Sequence, residues 1–394
     1  MKGKRVFVYV QHLLGIGHLK RAAAIAHAMA ADGLEVTLAS GGMPVPGLNF
    51  DGLKSVQLPP AMAADSTFKV LLDANAKPID EAWKQDRREA LLCAWREAAP
   101  HALVFELYPF GRRQMRFELV PLLEAATTAS HRPVIVSSVR DILGGGQKNP
   151  ARQDEMLALF ERYFDRLLVH GDPKLIPFER TFRHAGKLAD KLHYTGYVVD
   201  RAIPRRSDAG SGGSGKGEVI VSAGGGAVGR RLLDVAIRAR PLSRLADRTW
   251  RILVGVNADS AEFSYLADLA GTLGAGRVVV EPARADFVEL LENCAVSVSQ
   301  GGYNTVMEIL QTRARAVVVP FAGGTETEQS LRADVLCECG LIEKVDEYSL
   351  DPESLAAAVD RAGSRPRGTI GRVDLDGARR AAALICDWTK AKGW

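Results

Sequence analysis

The stretch Val296–Glu308, Val-Ser-Val-Ser-Gln-Gly-Gly-Tyr-Asn-Thr-Val-Met-Glu, decides the fold class. Its β-branched apolar run predicts a buried strand, the paired glycines predict a turn, and Asn304 to Leu310 predicts a helix. In an open parallel sheet, such a joint puts the first helical N–H groups and the positive end of the helix dipole at the strand's carboxyl edge. The stretch therefore predicts a phosphate-binding joint, with a simple packing turn as the alternative.

Strand-like and helix-like segments alternate along the whole chain of 394 residues. Continuous apolar strands between helices indicate an α/β fold with a parallel sheet covered on both faces. The Gly- and Ser-rich segment 201–217 shows no periodicity and predicts a linker. We therefore expect one domain over 1–200, a second α/β domain over 218–376, a final helix over 377–394, and a ligand cleft between the domains.

Composition narrows the class of protein. A net charge of +4 on this length is mild and argues against nucleic acid as a partner, although it suits an anionic substrate or an anionic membrane surface. The five cysteines are odd in number and lie mostly in apolar segments, which is typical of a reduced, cytoplasmic protein. No apolar run approaches the length of a membrane span, so at most peripheral membrane contact is expected.

The segment Gly15-Ile16-Gly17-His18 joins the first strand to the first helix. Its glycines allow close approach of the backbone, and Gly17 is expected to face a nucleotide sugar. A histidine titrates near neutrality, so His18 is a candidate general base for a sugar or alcohol hydroxyl. The alternative is a histidine that only caps the helix.

Two further segments suggest ligand contacts. A second strand–glycine–helix joint contains three consecutive glycines, Gly224, Gly225 and Gly226. Arg230 begins the helix after them and adds a charge, although a structural turn is an equal alternative. Farther along, Glu328 and Gln329 follow a strand, and their carboxylate and amide suit vicinal sugar hydroxyls. Helix capping is the alternative for that loop.

Taken together, the Gly-Ile-Gly-His segment, the triple-glycine joint and the block from Val296 to Gly340 resemble the GT-B glycosyltransferases. The resemblance is strongest to family 28, which contains the N-acetylglucosaminyltransferase of lipid II synthesis. The segment from Phe105 to Arg113 is similar to an uncharacterised branch of predicted family-28-like transferases. The resemblance implies two Rossmann-like domains, the first for an acceptor and the second for a nucleoside-diphosphate sugar. It also implies that the last helix crosses back onto the first domain.

The resemblance assigns roles within the second domain. The residues implied are Gly301, Gly302, Asn304 and Thr305 at the diphosphate, Glu308 at the ribose, and Glu328 and Gln329 at the donor sugar. Gly224–Gly226 would face the diphosphate from below. The lipid II enzymes have a glutamine where Glu328 stands, which leaves the donor sugar open.

Two carboxylates and three arginines complete the candidates in the first domain. Glu106 and Asp141 each follow a predicted strand and are candidates for the base or for orienting His18. Three nearby arginines are candidates to contact an anionic acceptor or a lipid phosphate, with a solvated helix face as the alternative. They are Arg112, Arg113 and Arg116.

The sequence thus predicts a cytoplasmic, inverting glycosyltransferase of polysaccharide or glycolipid synthesis. Its donor is a UDP-linked sugar, its acceptor is unknown but lipid-linked or anionic, and it acts at the inner face of the membrane. We expect no metal and no cofactor, since Asp374-Leu375-Asp376 precedes the last helix and lies outside the predicted site. Two alternatives stay open: a nucleotide-sugar hydrolase in which His18 activates water, and a non-catalytic subunit that binds sugar nucleotides.

Overall fold

The computed structural model describes residues 3–65, 68–144, 149–199, 213–223, 229–255, 258–323, 327–366 and 373–391. The chain forms two compact units. Unit 1 comprises Met1–Ala202 and Asp374–Trp394, and unit 2 comprises Ile203–Val373. Each unit has a parallel sheet with helices along it, so the predicted α/β fold class is confirmed.

The elements of unit 1 alternate along the chain. Its strands are β1 (Arg5–Val10), β2 (Glu35–Ser40), β3 (Lys54–Gln57), β4 (Met62–Ala63), β5 (Leu71–Leu72), β6 (Ala102–Glu106), β7 (Val134–Arg140), β8 (Arg166–His170) and β9 (Leu192–Tyr194). Its helices before unit 2 are α1 (Gly17–Ala31), α2 (Glu81–Ala98), α3 (Arg116–Thr128) and α4 (Pro150–Tyr163).

The main sheet of unit 1 has the order β3-β2-β1-β6-β7-β8-β9, and all its pairs are parallel. Both faces of β1 are buried. Phe7 and Tyr9 belong to one core cluster, while Val6, Val8 and Val10 belong to another that includes α1. The strand order reverses between β1 and β6, and ligands of open α/β sheets bind at the carboxyl ends of strands beside such a reversal.

Unit 2 repeats this arrangement. Its strands are β10 (Val219–Ser222), β11 (Trp250–Val254), β12 (Val278–Pro282), β13 (Val296–Gln300), β14 (Ala316–Val319) and β15 (Glu343–Lys344). Its helices are α5 (Arg230–Ala239), α6 (Ser260–Leu273), α7 (Phe287–Asn293), α8 (Tyr303–Thr312), α9 (Glu328–Glu338) and α10 (Pro352–Ser364). The sheet order is β12-β11-β10-β13-β14-β15, which places the reversal between β10 and β13.

The last helix, α11 (Gly377–Ala391), belongs to unit 1 and packs against α1. Ala381 and Ile385 are buried in the same core cluster as the valines of β1. At the start of α11, a Cβ on Gly377 would lie 2.4 Å from the carbonyl oxygen of Gly196, so only glycine fits there. Among the described residues, no helix is both long and apolar enough to cross a lipid bilayer.

Candidate active site

His18 and Glu106 meet at the carboxyl edge of the sheet in unit 1. Helix α1 begins one residue before His18, and β6 ends at Glu106. The Nδ1 atom of His18 lies 2.9 Å from Oε1 of Glu106. The histidine side chain is 17% exposed, whereas that of Glu106 is 2% exposed. An ionised carboxylate only accepts hydrogen bonds, so it fixes the proton on Nδ1 and leaves the lone pair of Nε2 for another partner.

Two further donors hold the Glu106 carboxylate. Arg21 lies three residues after His18 on α1, and its guanidinium donates to Oε1. Ser138 is the direct register partner of Glu106 on β7, and its hydroxyl donates to Oε2 at 3.1 Å. Both donors are buried. Charge-assisted hydrogen bonds of this kind stabilise a carboxylate in a fixed orientation.

The hydrogen bonds continue from Ser138 through two more buried side chains. Nε2 of His170 lies 2.8 Å from the Ser138 hydroxyl, and its Nδ1 lies 2.8 Å from the hydroxyl of Thr195. Burial, with a smaller contribution from the charge of Arg21, holds the pKa of His170 well below its ordinary value. A neutral imidazole has one N–H. His170 therefore donates from one ring nitrogen and accepts at the other, and the Thr195 hydroxyl also donates to the carbonyl oxygen of Gly196 at 2.8 Å.

The surroundings of His18 keep it neutral. Burial lowers its pKa well below the ordinary value, and the positive charges of Arg112, Arg140 and Arg21 lower that pKa further. A neutral imidazole whose Nδ1 is already committed can accept a proton at Nε2. Glu106 thus orients the His18 ring through its contact with Nδ1.

Asp141 has a different environment. It is completely buried just after β7. Its Oδ2 accepts a hydrogen bond from the Tyr197 hydroxyl at 2.8 Å, and its Oδ1 accepts one from the backbone N–H of Ile142 at 2.9 Å. These contacts secure the backbone next to the site, so they favour a structural role for Asp141.

The three predicted arginines do not share one surface. Arg116 pairs with Glu155 of α4 at 2.6 Å, and the exposed Arg113 lies 3.8 Å from the same carboxylate. Arg112 has a left-handed backbone with φ of 60°, and its Nε donates to the carbonyl oxygen of Gln11 at 2.6 Å. Only Arg112 of the three is among the main charges that act on His18.

In unit 2, the glycine turn leads directly into α8. Gly302 precedes the first helical residue and provides no side-chain cap. A Cβ on Gly301 would lie 3.3 Å from the Cβ of Gln329, so the turn and α9 pack closely. The partly exposed face of α8 contains three predicted ligand residues, which are Asn304, Thr305 and Glu308. This face presents polar groups beside the first N–H groups of the helix.

The two residues assigned to the donor sugar are partly engaged within unit 2. Oε1 of Gln329 accepts a hydrogen bond from the backbone N–H of Phe321 at 3.1 Å. Glu328 accepts one from Arg332 at 2.9 Å, and the guanidinium of Arg332 lies over the Tyr303 ring, 4.9 Å from its centroid. The structure brings Gln329 to the glycine turn, while the Glu328 carboxylate anchors an ion pair beside it.

The second glycine joint is described only in part. Gly224, Gly225 and Gly226 lie outside the described residues. Arg230 begins α5, and its guanidinium lies over the Tyr265 ring of α6, 4.8 Å from the ring centroid. That contact gives Arg230 a partner within the unit.

Comparison with known proteins identifies the second unit. Residues 232–367 match the glycosyltransferase family 28 C-terminal domain. Most of unit 2 thus matches this family domain. The resemblance stated from the sequence is therefore confirmed, and the glycosyltransferase class agrees with every relative described next.

One relative is the UDP-N-acetylglucosamine--N-acetylmuramyl-(pentapeptide) pyrophosphoryl-undecaprenol N-acetylglucosamine transferase of Paramagnetospirillum magneticum. It is 27% identical over 187 residues, which are 47% of this chain and 50% of that protein. An uncharacterized glycosyltransferase of Methanopyrus kandleri is 25% identical over 167 residues, or 42% of this chain and 44% of that protein. The chain thus spans about half the length of these relatives. The crystal structure of Acinetobacter baumannii MurG superposes with a TM-score of 0.62 at 14% identity, covering 98% of this chain and 99% of that one. The predicted GT-B fold is confirmed.

Sequence reasoning missed five residues around His18, namely Arg21, Ser138, Arg140, His170 and Thr195. Two signals point to four of them. Arg21 follows His18 at a helical spacing of three, which puts both on one face of α1. Ser138, Arg140 and His170 stand at the carboxyl ends of parallel strands, where polar residues in an otherwise apolar strand indicate a site.

Proposed function

We propose that the chain transfers a sugar from a UDP-sugar to an acceptor hydroxyl by a single displacement that inverts the anomeric carbon. The observation that carries the proposal is the His18–Glu106 pair, with its 2.9 Å hydrogen bond, at the reversal point of the sheet in unit 1. The family 28 domain in unit 2 supports a nucleotide-sugar donor. The name of the Paramagnetospirillum relative supports a UDP-linked donor and a lipid-linked acceptor. We further propose that the reaction takes place at the inner face of the membrane.

In the proposed reaction, the acceptor oxygen forms a bond to the anomeric carbon as the bond from that carbon to the diphosphate oxygen breaks. The hydroxyl proton passes to Nε2 of His18, and the departing UDP takes the bonding electron pair. Glu106 stabilises the imidazolium that forms, because its carboxylate accepts the Nδ1 proton in a hydrogen bond.

The first N–H groups of α8, with Asn304 and Thr305, would stabilise the negative charge on the departing diphosphate. Helix starts bind phosphate because their N–H groups and dipole face the anion. Glu308, on the same face, would accept a hydrogen bond from the ribose. This set supplies the charge stabilisation for which other transferases use a cation, so we propose a reaction that needs neither metal nor cofactor.

The test replaces each member of the pair. His18→Ala and Glu106→Gln should each lower UDP formation by roughly 10²–10⁴-fold, the usual contribution of a general base and its partner. UDP affinity, measured by calorimetry, should change less than about threefold, because the nucleotide is assigned to unit 2. His27→Ala is the matched control, since His27 lies on the same helix and contacts Asn49 instead.

The assay follows UDP formation from UDP-glucose, UDP-galactose and UDP-N-acetylglucosamine, with and without lipid-linked and sugar-phosphate acceptors. Acceptor-dependent UDP formation that requires His18 supports transfer. Rapid UDP formation in water alone would instead establish a hydrolase, and tight UDP binding without turnover would establish a non-catalytic subunit. Turnover of His18→Ala within threefold of the unmodified protein would remove His18 from the mechanism.

A further inference from the structure

The loop after β14 leads to the residues that the resemblance assigns to the donor sugar. β14 ends at Val319, and α9 begins with Glu328 and Gln329. The backbone N–H of Phe321 donates to Oε1 of Gln329 at 3.1 Å, which ties the start of the loop to the start of α9. The loop backbone therefore takes part in placing the Gln329 amide.

Two consecutive side chains from a later segment of unit 2 hold one residue of this loop. The backbone N–H of Ala322 donates to Oε2 of Glu347 at 2.7 Å, and its carbonyl oxygen accepts a hydrogen bond from the Tyr348 hydroxyl at 3.2 Å. The bond to the carboxylate is charge-assisted and belongs to the stronger class of hydrogen bonds. With both its polar groups engaged, the backbone of Ala322 cannot rotate without breaking one of these contacts.

Core packing does not account for the position of Tyr348. Its side chain is 80% exposed, so the ring removes little apolar area from water. What this side chain contributes is the contact between its hydroxyl and the loop. The loop itself is tightly folded, because a Cβ on Gly323 would lie 2.3 Å from Cζ of Phe321.

The segment that supplies the two side chains is firmly attached to the rest of unit 2. Its strand β15 pairs with β14, and the backbone N–H of Val345 donates to the carbonyl oxygen of Val318 at 3.1 Å. Asp346 pairs with Lys344 at 2.6 Å, and Lys344 also pairs with Asp334 of α9. Loops that carry binding residues depend on a rigid scaffold to position them. This segment provides such a support for the loop after β14.

We propose that Glu347 and Tyr348 are positioning residues of the donor site. By holding the backbone of Ala322, they keep Gln329 beside the glycine turn, where a Cβ on Gly301 would lie 3.4 Å from Oε1 of the glutamine. Binding groups need such supporting contacts to stay in the productive geometry. The inference rests on the proposed function. It adds that these two residues act on binding of the sugar and not of the nucleotide, which is assigned to the start of α8.

The test compares two ligands of the full chain by calorimetry. One is UDP, and the other is whichever of UDP-glucose, UDP-galactose and UDP-N-acetylglucosamine the unmodified protein binds most tightly. Glu347→Ala and Tyr348→Phe should each raise the dissociation constant of the UDP-sugar about fivefold, the net effect of one hydrogen bond. UDP affinity should change less than about twofold. In turnover, KM for the UDP-sugar should rise by the same factor while kcat stays within about twofold, because uniform binding is lost.

Three further variants separate positioning from a general structural effect. Glu347→Gln keeps an oxygen acceptor for the N–H of Ala322, so it should restore sugar binding to within about twofold of the unmodified protein. Ser349→Ala is the control for the lost hydroxyl, since the Ser349 hydroxyl donates to the carbonyl oxygen of Asp346 instead. Glu338→Ala is the control for the lost carboxylate and lies at the exposed end of α9. Both controls should bind UDP and the UDP-sugar as the unmodified protein does.

Hydrogen exchange followed by mass spectrometry reports on the loop directly and needs no ligand. Peptides that contain Ala322 should exchange faster in Glu347→Ala than in Glu338→Ala, because a hydrogen bond of the loop backbone is lost. Equal exchange in these two variants overturns the inference. Equal losses of UDP and UDP-sugar affinity in Glu347→Ala and Tyr348→Phe overturn it as well.

The failure of this inference differs from the failure of the proposed function. A UDP-sugar that is consumed, with sugar binding unchanged in Glu347→Ala and Tyr348→Phe, would overturn the positioning role and leave the transferase intact. A chain that binds no UDP-sugar would overturn the transferase, and hydrogen exchange would still decide whether Glu347 holds the loop.

Discussion

His170 should make the stability of unit 1 depend on pH. It is fully buried between Ser138 and Thr195, and burial holds its pKa well below 6.5. Because its pKa is depressed, the contribution of His170 to stability is fully present above pH 6.5 and is lost as the pH falls. The reason is that His170 of the unfolded chain then takes up a proton that native His170 does not. With an unfolded pKa of about 6.5, this one group removes about 2 kcal/mol of unfolding free energy between pH 7.5 and pH 5.

The assay is urea unfolding of the unmodified protein and of His170→Gln at pH 7.5 and pH 5. Intrinsic fluorescence reports mainly on unit 1, which contains Trp83, Trp95, Trp388 and Trp394. Glutamine preserves a donor and an acceptor, so its packing cost should be similar at both pH values. Between pH 7.5 and pH 5, the unfolding free energy of the variant should therefore fall by about 2 kcal/mol less than that of the unmodified protein. His18 still titrates in both proteins, so some pH dependence should persist. Equal losses would refute the assignment of a depressed pKa to His170.

Two further predictions concern the donor site. Glu308→Ala should raise the UDP dissociation constant roughly tenfold or more, because a carboxylate–hydroxyl hydrogen bond contributes on the order of 1.5–3 kcal/mol; unchanged affinity in calorimetry would end its assignment to the ribose. Activity should survive excess EDTA, since helix N–H groups and hydroxyls are proposed to stabilise the leaving diphosphate; loss of activity that Mg²⁺ or Mn²⁺ restores would show that a cation does so instead.

The main strands and helices could be predicted because their patterns are strong. The strand predicted at the start of the stretch Val296–Glu308 is β13, and the helix after Gly302 begins where the glycines end. The short edge elements could not be predicted. β3 is mostly exposed, and β15 has only two residues, so neither has the apolar run by which a buried strand is detected. Their pairing depends on the neighbouring strand.

The candidate site was predictable only in its local part. His18 and Glu106 stand out because each follows or ends an apolar strand, and the structure puts them in hydrogen-bond contact. The hydrogen-bond partners of Glu106 come from α1 and β7, and the series of hydrogen bonds continues to His170 on β8. Such contacts arise from the sheet order, which brings together strands far apart in sequence. Composition and spacing do not report that order.

The path of the chain through unit 1 has a consequence for protein engineering. Unit 2 is inserted between Ala202 and Asp374, and α11 completes the core beneath α1 after unit 2 has been synthesised. A fragment that stops at Ala202 would therefore leave the Ala381- and Ile385-binding face of unit 1 open to water. Exchanging unit 2 for a related domain requires two junctions in place of one, so that the same chain still returns to close the unit that holds His18.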